Sequence, residues 1–135
     1  MKTWIAMATA ALLAACSPIA DTKAAEAGVD RFHQAMDSGR LAEAYDASAP
    51  DMKSVTSREQ FIALFGAVHE RLGTYKSGKT VGWKDNADTS GHFVVLDRQA
   101  EFEHGSATEE FVFRIERGEA VLAGYHITSN VLTAN

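Results

Sequence analysis

Residues 91–129, GHFVVLDRQAEFEHGSATEEFVFRIERGEAVLAGYHITS, decide the fold of this chain. Within them apolar and polar side chains alternate over two long runs joined by a short glycine-containing break, which is the pattern of an antiparallel hairpin with one buried and one wet face. A tight turn at His104 and Gly105 sets Glu103 against Ser106 and carries the pairing back through 100/109, 98/111 and 96/113. In that register Val94, Leu96, Ala100 and Phe102 share one face with Phe111, Phe113 and Ile115. Asp97, Gln99, Glu101, Glu103, Glu110 and Arg114 take the other. Two charges, Arg98 and Glu109, fall on the apolar face, diagonal to each other.

The last strand, about 119–128, has two possible phases. A two-residue turn at Arg117 and Gly118 puts Ala120, Leu122, Gly124 and His126 on the apolar face, with His126 opposite Glu109. A three-residue turn puts Val121, Ala123, Tyr125 and Ile127 there instead. The two exclude each other, because a slip of one residue exchanges the faces.

Upstream of the hairpin the periodicity changes to that of helices. Val29, Phe32, His33 and Met36 recur as one stripe over about 24–37, closed by Ser38 and Gly39. Leu41, Ala44 and Tyr45 mark a short second helix that Pro50 prevents from extending. Thr56 and Glu59 have the form of a capping box, followed by the stripe Phe61, Leu64, Phe65, Val68 and Leu72. Tyr75, Val81 and Trp83, interrupted by Gly78 and Gly82, predict a bent strand over 74–84, with Tyr75 and Trp83 as core or cavity-lining aromatics. Residues 85–91 read as a loop. Helices preceding a four-stranded antiparallel meander define an α+β fold with N-terminal helices packed on one face of the sheet. The length, 135 residues, suits one domain, here 24–135.

The N-terminus carries a different message. Residues 1–15 combine a basic start with a short apolar run ending in small residues, the form of an export signal. Leu13-Ala14-Ala15-Cys16 resembles the lipobox of bacterial lipoproteins. That resemblance implies cleavage before Cys16, acylation of its sulfur, and a membrane anchor of several acyl chains. Ser17 in place of Asp resembles lipoproteins sorted to the outer membrane, facing the periplasm. Residues 16–23 then form the lipidated cysteine and a mobile tether. With a single cysteine, no intramolecular disulfide exists.

The pattern Asp37-Ser38-Gly39-x-Leu41-x-x-Ala44-Tyr45, then Met52-Lys53-x-Val55-Thr56, Gln60-Phe61, Arg71-Leu72-Gly73 and Gly124-Tyr125-His126-Ile127 resembles small bacterial secreted domains of the nuclear transport factor 2-like, cystatin-like superfamily. The resemblance implies a curved sheet around helices with a cone-shaped cavity. Its members include isomerases, dehydratases and binding modules without chemistry, so the fold leaves activity open.

Net charge is −5, which argues against nucleic acid as a partner, and loss of Lys2 with the leader deepens the acidity. Arg98 and Glu109 with Tyr125 or His126 form the candidate ligand-binding constellation. A buried arginine and glutamate need pairing, and a structural ion pair is the plain alternative to a site. No catalytic residue is assigned. No histidine pair falls at i, i+4 and no HExxH spacing occurs, so neither metal nor cofactor is expected. The sequence therefore points to a lipid-anchored envelope domain that binds a small molecule or an envelope protein and catalyses nothing. A cavity enzyme of isomerase or hydro-lyase type is the alternative, and a purely structural partner in an envelope complex a third. Oligomeric state stays open.

Overall fold

The computed structural model describes residues 18–134; the leader and Cys16 lie outside them. The elements run α1 (Pro18–Asp37), α2 (Leu41–Asp46), α3 (Pro50–Val55), α4 (Arg58–Leu72), β1 (Tyr75–Asp88), β2 (Gly91–Phe102), β3 (Gly105–Glu116), β4 (Glu119–Thr128) and α5 (Asn130–Thr133). The strands pair in the order β1-β2-β3-β4, all antiparallel, and the helices pack on one face. The expected α+β fold is what forms.

The apolar stripes become the core. Val29, Phe32 and Met36 of α1 and Phe61, Phe65, Val68 and Leu72 of α4 meet Val94, Leu96, Phe111 and Phe113 of the sheet. Phe32 stands at the centre, edge-on to Phe61, Phe65 and Phe111, an arrangement that aligns ring edges with ring faces. Gly28 lets α1 approach Phe113 closely, since a Cβ there would lie 2.6 Å from the ring. Gly39, at φ 72°, closes α1 while the Arg40 amide donates back to the Ala35 carbonyl, satisfying an orphan acceptor of the last turn.

Several expectations are corrected. Residues 18–23 are not a tether but the opening turns of α1, and Asp21 within them is buried. The cap of α4 is Ser57 with Gln60, one residue later than Thr56 with Glu59; both reciprocal bonds of the box are present. Leu64 lies off the core side of α4 and is exposed. The segment around Pro50 is a helix in its own right, started by the proline at its first turn, and the Ala49 amide at its cap donates to Leu122 of edge strand β4. Residues 85–88 continue β1 instead of forming a loop. Trp83 and Val81 on this edge strand are exposed, not core. Two register shifts along β1, with Lys76, Lys79 and Lys84, keep that edge unattractive to further strands.

The central hairpin turns at Glu103 and His104, one residue earlier than expected, so Phe102 pairs with Gly105 and Arg98 directly with Glu109. The shift moves the register by two, so every face assignment survives. The expectation that the two phases of β4 exclude each other is corrected, since both are realised in turn. Arg117 and Gly118, at φ 53° and 77°, make the two-residue turn, setting Ile115 against Ala120 and Phe113 against Leu122. A bulge at Ala123 then shifts the register, and Phe111 pairs with Tyr125 and Glu109 with Ile127. One extra residue exchanges the faces halfway along the strand.

Candidate functional site

Glu109 projects from the middle of β3 into the core and is fully buried. Its Oε2 is 2.8 Å from Nε2 of His33 on α1 and accepts from the Tyr125 hydroxyl on β4 at 2.5 Å. The bulge at Ala123 is what turns Tyr125 inward to this position. Burial, reinforced by the charge and hydrogen bond of Glu109, holds the Tyr125 phenol well above its ordinary range, so it stays a neutral donor. Glu109 Oε1 and His33 Nδ1 are buried without a hydrogen-bond partner among the described residues.

Arg98 does not form the expected ion pair. Although its Cα lies opposite that of Glu109, no bridge joins them among the described residues, because its guanidinium turns toward β1. There it donates to Thr80 Oγ1 at 3.0 Å and to the Tyr75 hydroxyl at 3.1 Å. Thr80 passes the contact on by donating to Glu26 Oε1 at 3.0 Å. The buried charge thus reaches a carboxylate on α1 through a hydroxyl, a route invisible to strand alternation. Gly78 leaves room for it, since a Cβ there would meet the Tyr75 hydroxyl at 2.5 Å and the Arg98 guanidinium at 3.0 Å. The two networks touch where the His33 ring stacks on Tyr75, with centroids 3.6 Å apart.

Of the four residues singled out from sequence, Glu109 and Tyr125 are bonded, Arg98 belongs to the adjoining network, and His126 belongs to neither. Beyond the bulge His126 pairs with Glu110 on the wet face and is exposed. It reaches instead the rim of a pocket of about 460 Å³ between α4, β4 and α5, lined by Leu64, Phe65, Val68, Tyr125, Ile127 and Leu132, with Arg71 alongside. Tyr125 is therefore both a wall of this pocket and a ligand of the buried carboxylate. A larger groove of about 590 Å³ between α1 and the β3–β4 turn is lined mostly by alanines and glycine and carries Arg31 and Glu119.

A third group, missed in the sequence, gathers Asp21 of α1, Asp85 of β1 and His92 of β2. Burial first, and the adjacent Asp85 carboxyl second, push the Asp21 carboxyl above its ordinary value. No spacing signal announces this group, because its members come from three elements and Asp85 sits in a stretch whose composition reads as a loop.

Among the described residues no helix is long and apolar enough to cross a membrane. No curated protein matches the chain. A family described as protein of unknown function, DUF4019, matches residues 29–125, from the first core valine of α1 to the tyrosine that holds Glu109, and the chain belongs to that family.

Proposed function

We propose that this chain is a lipid-anchored domain of the bacterial envelope that binds a small amphipathic ligand, without catalysis, in the pocket between α4, β4 and α5. The observation that carries the reading is the make-up of that pocket: leucine, isoleucine, valine and aromatic walls, with Arg71 and His126 beside them. Apolar walls favour burial of a hydrocarbon or aromatic body, and nearby nitrogen donors favour an anionic end. The Tyr125 hydroxyl is already engaged by Glu109, so that wall offers mainly its ring. The sealed position of Glu109 and His33, each at most 2 % exposed, favours a structural role for that pair over chemistry on a substrate. The anchor rests on the Leu13-Ala14-Ala15-Cys16 motif, and likeness to the nuclear transport factor 2-like superfamily is part of the same proposal.

Anilinonaphthalene sulfonate, an aromatic body with one anionic group, is a suitable probe. Saturable fluorescence enhancement is expected, weakened at least roughly tenfold by Leu64→Glu, which adds a negative charge at the pocket and, at an exposed position, leaves the fold intact. Equal binding by wild type and variant would reject the pocket. For the anchor, Cys16→Ala should abolish incorporation of radiolabelled palmitate and release the chain from membranes; persistent labelling would reject lipidation at this residue.

A further inference from the structure

We propose that Asp21, Asp85 and His92, brought together where α1 crosses the β1–β2 hairpin, form a site for one divalent transition-metal ion of the zinc class. One ligand atom from each lies within 4.8 Å of the others. His92 Nε2 is 2.5 Å from Asp85 Oδ1 and 3.4 Å from Asp21 Oδ2. With metal–ligand bonds of about 2.0–2.2 Å in a tetrahedral site, neighbouring ligand atoms stand roughly 3.3–3.6 Å apart. The Asp21–His92 spacing already matches, and the Asp85 carboxylate has to withdraw from the imidazole by roughly 1 Å, which side-chain rotation supplies.

A second observation, independent of the ligand count, points to a cation. Asp21 is 7 % exposed, and its carboxyl group is held against a second one, that of Asp85, with the His92 imidazole 3.4 Å away. The one imidazole nitrogen facing the pair lies closer to Asp85 than to Asp21. A buried carboxylate so placed is electrostatically incomplete, and a divalent ion shared by both acids and the imidazole completes it. One nitrogen and two carboxylates suit zinc, cobalt, nickel or manganese, whereas calcium takes six to eight oxygens. The Asp85 and His92 side chains, 13 % and 22 % exposed, leave a path to solvent and an open coordination position. This site is separate from the proposed ligand pocket and does not depend on it.

The test uses the full chain, purified in detergent and stripped with EDTA. Zinc should bind with one-to-one stoichiometry by calorimetry and raise the melting temperature by more than about 5 °C at saturation. Cobalt(II) should give the visible absorption of a low-coordinate N,O site. His92→Gln and Asp21→Asn should lose both signals, and Asp21→Asn should melt no lower than the metal-free wild type because it removes a like-charge contact. The cobalt spectrum of the wild type decides the matter even if a variant fails to fold. Absence of a zinc shift and of a cobalt spectrum would overturn the proposal, as would a shift that survives in His92→Gln or one obtained with calcium but not zinc.

Discussion

Glu109 on β3 and His33 on α1 meet at 2.8 Å inside the core, although 76 positions separate them in the chain. The contact ties the first long helix to the centre of the sheet by a polar bond within an otherwise aromatic layer, where Phe32, Phe111 and Tyr125 crowd the same space. Such a bond is directional, and so specifies how α1 is rotated on the sheet in a way that ring packing alone does not.

Removing the acid should be costly. Glu109→Ala leaves the His33 nitrogen and the Tyr125 hydroxyl buried without their acceptor, and an expected loss of roughly 3–5 kcal/mol follows. Glu109→Gln keeps one acceptor oxygen and should lose only about 1–2 kcal/mol. Urea denaturation of the three proteins measures both, and an alanine variant within 1 kcal/mol of wild type would show that the bond contributes little.

Tyr125 predicts a loss of stability on the alkaline side. Its phenol is held above the ordinary value of 10.0 in the folded state, so the native protein keeps a proton that the unfolded chain releases first. The contribution is constant below about pH 10 and falls as pH rises from there toward the folded-state value. Tyr125→Phe should flatten that fall while lowering stability at pH 7 by roughly 1–3 kcal/mol. Circular dichroism followed against pH for both proteins decides it; parallel alkaline limbs would be the contrary result.

The bulge predicts tolerance of a deletion. Removing Ala123 takes out the extra residue and leaves Leu122 against Phe113, Gly124 against Val112 and Tyr125 against Phe111, so on a regular strand Leu122, Tyr125 and Ile127 all stay inward and Glu109 keeps its phenol donor. A loss of no more than about 2 kcal/mol is expected. A deletion variant that fails to fold in urea denaturation would mean that β4 needs the extra residue for more than the phase of its side chains.

Two helical glycines should respond in opposite directions to alanine. Around Gly66 on α4 nothing lies within 4 Å of an added Cβ, so Gly66→Ala should stabilise by about 1 kcal/mol through helix propensity. At Gly28 the added atom would sit 2.6 Å from the Phe113 ring, and Gly28→Ala should destabilise by roughly 1–3 kcal/mol despite the same propensity gain. Thermal melts compare the pair directly, and stabilisation at both sites would show that α1 shifts freely on the sheet.

The glycine at 105 shows how a local signal misleads. In sequence it reads as the second residue of a turn, but its role is to let α5 close in, since a Cβ there would meet Val131 at 2.6 Å. The turn forms one residue earlier because the Glu103 and His104 amides donate to Thr74 and Leu72 carbonyls in the α4–β1 connection. The face assignments withstood this because a shift of two preserves parity.

What the sequence determined by itself is what depends on short range. The stripes of α1 and α4 and the alternation of β2 and β3 each encode which side of an element is buried, and a period of 3.6 or 2 needs no distant partner to be read. The α+β order follows from them. What only the tertiary structure decided is where polar groups inside the core find their partners. Arg98 and Glu109 look like a pair from the strands alone, yet α1 supplies His33 to one and, through Thr80, Glu26 to the other. The bulge at Ala123, which satisfies two incompatible phases of β4, has the same origin. It brings Tyr125 to Glu109, a contact selected by burial across the sheet and carried by no periodicity of the strand itself.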